Sequence, residues 1–131
     1  MSEPVWLSTE LIIAIHDEQL EEFGGPSGLR DRGLLESAVA RPLNQYAYGN
    51  EDLAALSAAY AFGLVRNHPF IDGNKRTGLL AIVTFLGVIG IDFEAPEAET
   101  AVTMLALAAG EINEDELAHW IGEKIAAAAA A

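Results

Sequence analysis

The sequence predicts an all-α protein, a compact bundle of about six helices packed around one helix that is buried on every side. Three observations carry this. Apolar residues recur every three or four positions in one segment after another, the spacing that gathers them on one face of a helix. Glycine, proline or a capping side chain bounds each of those segments. The run Leu79, Leu80, Ile82, Val83, Phe85, Leu86, Val88 and Ile89 leaves no polar face, so its helix belongs at the centre. No stretch reads as a strand, and helix packed on helix is then the remaining architecture.

Ser8 is an N-cap with Glu10 in the first turn, and Leu11, Ile12, Ile15, Leu20 and Phe23 carry a helix from Thr9 to Phe23, where Gly24-Gly25 stops it. His16 and Asp17 lie on that helix and read as a half-buried histidine beside a solvated carboxylate. After the turn-rich Gly24-Gly25-Pro26-Ser27-Gly28, Asp31 caps a short helix from about Arg32 to Arg41, which Pro42 ends. The segment from Pro42 to Asn50, with Asn44, Gln45, Tyr46, Tyr48 and Gly49, has no apolar periodicity and reads as an exposed flap. Asn50 caps the next helix, whose face of Leu53, Leu56, Tyr60 and Leu64 ends near Asn67. Alanines and Gly63 make its other surfaces small enough for a close neighbour. Gly90 ends the central helix, and a helix from Glu97 to Ala109 runs to Gly110. Asn113 with Glu116 forms a capping box that opens the last helix, carrying Leu117, Trp120, Ile121 and Ile125. His119 falls on its surface. The expected organisation is one domain over residues 1–125 followed by a poly-alanine tail, 126–131, without chemistry.

At 131 residues the chain is long enough to bury roughly two thirds of its unfolded surface without staples. It has no cysteine, which excludes disulfides and thiolate metal sites and fits a cytoplasmic location. Met1-Ser2-Glu3-Pro4, acidic and short of apolar length, does not read as a signal peptide, and none is expected. The run from Leu79 to Ile91 falls short of the ~20 residues that cross a bilayer. Seven basic against twenty acidic residues give a net charge of −13, which repels nucleic acid and anionic membranes, so neither is an expected partner.

Against that acidic background one stretch stands out: His68-Pro69-Phe70-Ile71-Asp72-Gly73-Asn74-Lys75-Arg76-Thr77-Gly78. Pro69 bars a helical continuation and should hold His68 in extended geometry at a helix exit. Asp72-Gly73 makes a turn, and Asn74-Lys75-Arg76 begin a new helix. The free N–H groups of that first turn, the positive end of the helix dipole and two full cationic charges make an anion site suited to phosphate. A carboxylate at Asp72 beside such donors is consistent with a Mg²⁺ ion shared with the phosphates. The imidazole of His68 is suited to take a proton from an attacking hydroxyl.

The order His68, Phe70, Asp72, Gly73, Asn74, Lys75, Arg76 resembles the core motif of the Fic/Doc superfamily, H-x-F-x-[D/E]-G-N-x-R, and more closely its Doc (death-on-curing) branch, which has lysine before the arginine. The stretch from Gly24 to Pro42, with Gly-Gly, Arg30-Asp31, Leu35-Glu36-Ser37-Ala38 and Arg41-Pro42, resembles that branch too. The resemblance implies a Fic/Doc-like bundle with the 42–50 flap near the active site, positioning a target segment. It also implies transfer from a nucleotide to a protein hydroxyl. His68 would be the general base, Asp72 the Mg²⁺ ligand, and Gly73, Asn74, Lys75 and Arg76 the residues holding ATP; Phe70 would anchor the loop in the core. Doc-branch members resemble protein kinases that inhibit translation by phosphorylating elongation factor Tu, and their partner is an antitoxin, here expected to be Phd-like. Members that transfer AMP usually continue the motif to G-N-x-R-x-x-R, and that last position is Leu79 here. Two alternatives stay open: an AMP or other nucleotidyl transferase, and a non-catalytic antitoxin-binding module.

Overall fold

The computed structural model describes residues 3–130. Met1, Ser2 and Ala131, the ends of the acidic start and of the poly-alanine tail, lie outside the described residues. Six helices follow one another: α1 Thr9–Phe23, α2 Arg32–Ala47, α3 Leu53–Asn67, α4 Asn74–Val88, α5 Glu97–Ala109 and α6 Glu114–Ala130. Among the described residues the only extended pairing is an isolated antiparallel bridge between Leu29 and Phe70. None of these helices is long and apolar enough to cross a membrane.

Local sequence sets most of the boundaries. Ser8 accepts from the N–H of Leu11 and Asp31 from that of Leu34, so each side chain satisfies a donor that an opening helix leaves free. The capping box at α6 closes in both directions, Asn113 with Glu116. Gly110 ends α5 with φ +76°, a conformation in which a Cβ would be strained. The N-cap of α3 is Asp52, which accepts from Ala54 N–H, while Asn50 holds the N–H of Asp52; the expected cap at Asn50 thus sits two residues before the cap the helix uses.

Pro42 does not end α2. The helix runs on to Ala47 with Pro42 inside it and buried, so the expected flap over 42–50 is helical for most of its length. A proline inside a helix costs about 3 kcal/mol through its missing N–H and its clash with the preceding turn. Side-chain contacts on both sides of it offset that cost. Arg41 donates to Glu114, Gln45 donates to the other oxygen of the same carboxylate at 2.6 Å, and Tyr46 meets the edge of Trp6 at 5.4 Å.

The centre of the bundle is α3, not α4. Ten of its residues are buried, and it packs against α2, α4, α5 and α6. Small residues permit this. A Cβ at Gly63 would lie 2.9 Å from the Cα of Ala38 on α2, and one at Gly78 of α4 would lie 2.9 Å from Val65 of α3. The run Leu79–Ile89 is apolar all round, yet Val83 and Val88 of α4 are exposed; one edge of that helix faces an open cleft. Composition could not distinguish an apolar edge on a groove from an apolar edge in the core. The alanines Ala126–Ala130 simply prolong α6, as their high helix propensity allows. Lys124 pairs with Glu99 at 2.5 Å and Trp120 donates to it at 2.8 Å, tying α6 to α5. These bonds hold the Glu99 carboxyl below its ordinary range.

Tyr60 of α3 is fully buried, and its hydroxyl accepts from the N–H of Leu7 at 2.9 Å. Burial pushes the phenol from 10.0 up to about 12, the bond with Leu7 only partly opposing it. In alkali the unfolded chain loses this proton first, so stability falls as pH rises from about 10 to about 12. Tyr60→Phe should lower stability near neutral pH by about 1–2 kcal/mol, because the Leu7 N–H loses its acceptor. It should also lose this share of the alkaline decline; urea midpoints at neutral and alkaline pH check both.

Candidate active site

The exit of α3 is built around His68. Its backbone has φ 53° and ψ 54°, the left-handed region rather than the extended geometry expected before proline, and it is the only non-glycine residue with positive φ among those described. Such a conformation costs of the order of 1 kcal/mol or more and persists where surroundings enforce it. Arg30 does so. Its Nε donates to the carbonyl of His68 at 2.7 Å and its Nη2 to that of Asn67 at 2.9 Å, satisfying acceptors that the end of α3 leaves open. The backbone of the α1–α2 connection adds a short ladder: Arg30 and Asp31 donate to Pro69 O, and Ile71 donates to Gly28 O. The irregular segment that lies along the motif is therefore Gly24–Asp31.

Phe70 is 1% exposed and anchors the loop. Asn74 closes it: its Oδ1 accepts from Phe70 N–H and its Nδ2 donates to Phe70 O, at 3.0 and 2.9 Å. The side chain of Asn74 is thus engaged within the loop, and what it offers a ligand is its backbone N–H at the start of α4. Gly73 precedes that helix with φ +80°, as the Asp-Gly turn anticipates.

The loop rests on α1, through residues whose part the sequence reading missed. His16 is buried to 1% rather than half exposed. Its ring stacks face to face on Phe70, centroids 3.7 Å apart and planes 7° off parallel, and its Nε2 is 2.7 Å from the carbonyl oxygen of Asp72. A carbonyl only accepts, so Nε2 carries the proton. One turn on, Gln19 is 2% exposed, and its Oε1 accepts from Arg76 Nη1 at 3.4 Å. A further turn on, the ring of Phe23 lies under the Arg76 guanidinium at 3.9 Å, a cation–π contact. Positions 16, 19 and 23 share one helix face; two polar residues in helical register with the buried Ile12 were the available signal.

The carboxylate of Asp72 is exposed and leans over Gly25, where a Cβ would come within 2.7 Å of Oδ2. Among the described residues no three His, Cys, Asp or Glu side chains gather as a metal cage. A lone carboxylate fits Mg²⁺, which characteristically takes one or two carboxylates together with substrate phosphates. Lys75 is exposed and makes no ion pair among the described residues.

These groups meet at one end of a cleft of about 1260 Å³ that His68, Asp72, Gly73 and Lys75 line, and that runs on between α4 and α5 along Leu79, Val83, Met104 and Leu105. No residue of 42–50 reaches it. Leu79 packs partly on the core and also lines the cleft, so a side chain at that position faces whatever the cleft holds. The arrangement offers an anion-binding helix start, one carboxylate and one imidazole at a single opening.

The helical fold and this loop define a member of the Fic/DOC family, to which the chain belongs; the family model matches residues 6–86. Over 114 residues it is 36% identical to protein kinase doc of Escherichia phage P1, covering 86% of this chain and 89% of that protein. Over 91 residues it is 42% identical to toxin Doc of Mycolicibacterium smegmatis, covering 64% of this chain and 69% of that one.

Asn74→Ala leaves two buried backbone groups of Phe70 without partners. It should cost about 2–4 kcal/mol, at ~1–3 kcal/mol for each orphaned group, and release Phe70 from His16. Urea denaturation gives the first quantity, and the near-ultraviolet dichroism of the buried aromatics reports the second.

Proposed function

We propose that this chain is a Doc-like toxin of a toxin–antitoxin pair, a cytoplasmic protein kinase that moves the γ-phosphate of ATP to a Ser/Thr hydroxyl of elongation factor Tu and so inhibits translation. The observation that carries the reading is the convergence, at one cleft mouth, of His68, Asp72 and the cationic start of α4. The names of the two relatives, a protein kinase and a toxin, support the kinase and toxin parts.

In this reading the N–H groups of Gly73, Asn74 and Lys75, with the cationic side chains of Lys75 and Arg76, hold the phosphate chain. His68 accepts the proton of the target hydroxyl as its oxygen bonds to the γ-phosphorus. The bond from that phosphorus to the β–γ bridging oxygen breaks, and ADP leaves with the electron pair. Mg²⁺, held by Asp72 and the phosphates, would supply neutralisation of the developing charge. The protein's contribution is position and electrostatics, which suits residues fixed on a braced loop.

Leu79 decides between phosphoryl and nucleotidyl transfer. It lines the cleft one turn along from Arg76, where an arginine would hold phosphates in the orientation that presents the α-phosphorus. Without it that orientation lacks a charge-assisted contact worth ~1.5–3 kcal/mol, and γ-transfer is favoured. The apolar arm of the cleft, between α4 and α5, suits the C-terminal segment of a Phd-like antitoxin.

Incubation of the protein and elongation factor Tu with ATP labelled at the α or the γ position should give label from the γ position alone; retained α label means nucleotidyl transfer, and no label from either means a binding module. His68→Gly should lower transfer at least a hundredfold and leave stability equal or higher, since glycine adopts positive φ without strain. Thermal midpoints of the two proteins check the second half.

A further inference from the structure

We infer that Gln19 is a further anion-binding residue of the cleft, its side-chain amide N–H kept for an oxygen of the bound phosphate chain. The inference rests on the phosphate reading of the α4 start.

Buried polar side-chain atoms in folded proteins nearly always have partners. Among the described residues two lack one, Gln19 Nε2 and Thr77 Oγ1, and both lie at the first turn of α4. The orientation of the Gln19 amide follows from its neighbour. Arg76 only donates, so Oε1 faces the guanidinium and Nε2 points to the other side, against Gly73, where a Cβ would collide with it. Turning the amide over would set NH2 against the guanidinium, donor against donor. Nε2 finds no acceptor at Gly73: the Gly73 carbonyl takes the N–H of Thr77, and the backbone groups that the start of α4 leaves free are N–H donors.

A glutamine 2% exposed, lining the cleft, with an unmet donor beside other unmet donors, describes an anion site whose guest supplies the acceptor. Only the amide tip has to turn toward that guest, and the potential about χ3 of glutamine is broad. Gln19 then has two contacts from one group: Oε1 steadies Arg76, and Nε2–H binds the same anion that Arg76 attracts. This also accounts for a polar residue on the inward face of α1.

The test measures binding of Mg²⁺–ATP and of inorganic tripolyphosphate, by calorimetry, to wild type, Gln19→Leu and Gln19→Glu, with the thermal midpoint of each free protein. Leucine removes the amide at similar size. It should weaken both probes about tenfold or more, the loss typical of a hydrogen bond to a charged group, while the free protein's midpoint stays equal or rises because an unmet donor is gone. Glutamate keeps an acceptor for Arg76 but sets a negative charge where the N–H was, and should weaken both probes further. Undiminished binding by Gln19→Leu and Gln19→Glu, or a loss confined to ATP, overturns the inference, the latter because the contact would then be to the nucleoside. Should Gln19→Leu fail to fold, the glutamate variant decides alone. If wild type binds neither probe, the phosphate reading itself falls, and the role of Gln19 with it.

Discussion

The site depends on the joint between His16 and the motif loop. A loop carrying an imidazole, a carboxylate and the start of a helix presents them together only if its backbone holds one shape, and Phe70 and Asp72 are fixed from beneath by a single imidazole that stacks on the ring of one and donates to the carbonyl of the other. The stack buries two aromatic faces, and the imidazole end of the hydrogen bond is buried, so its loss would leave an unmet polar group on His16. Asn74 braces the same loop from within and Arg30 from outside. Three side chains from three segments therefore enforce the left-handed conformation of His68 and the turn at Gly73.

The fold supplies these braces by placement. With α3 at the centre, its C-terminal end delivers His68 at a surface where α1 and α4 also meet, and glycines at 63 and 78 let α2 and α4 approach closely enough for that. The price is a rim of unpartnered apolar side chains, Val83 and Leu105 among them, along the cleft between α4 and α5. On an acidic surface the cleft mouth is a place where positive charge concentrates, at Lys75 and Arg76, so any attraction for an anion there comes from local donors and not from the field of the whole chain.

Much of this was legible in the sequence. Ser8, Asp31, the Asn113–Glu116 box and Gly110 mark helix ends by chemistry that acts within a few residues, and each lies where the structure uses it. The motif residues likewise converge because they are neighbours in the chain. The failures share one cause, which is that long-range packing overrode a local rule. Pro42 reads as a stop, but Arg41, Gln45 and Tyr46 make contacts that carry α2 through it. His68 reads as extended, but Arg30, thirty-eight positions away, holds it left-handed. His16 reads as a half-exposed residue because nothing near it in sequence reveals the loop that covers it, fifty-six positions on. The contacts that the site's supporting residues make are the part that only three dimensions disclose.

His16 holds the loop through a proton on Nε2. Long-range ¹H–¹⁵N correlation of the imidazole nitrogens at neutral pH measures this directly. The predicted result is a protonated Nε2 whose hydrogen exchanges slowly with solvent and shows a contact to Phe70. A neutral ring protonated at Nδ1 instead, or an Nε2 proton exchanging as fast as that of the exposed His119, would contradict it.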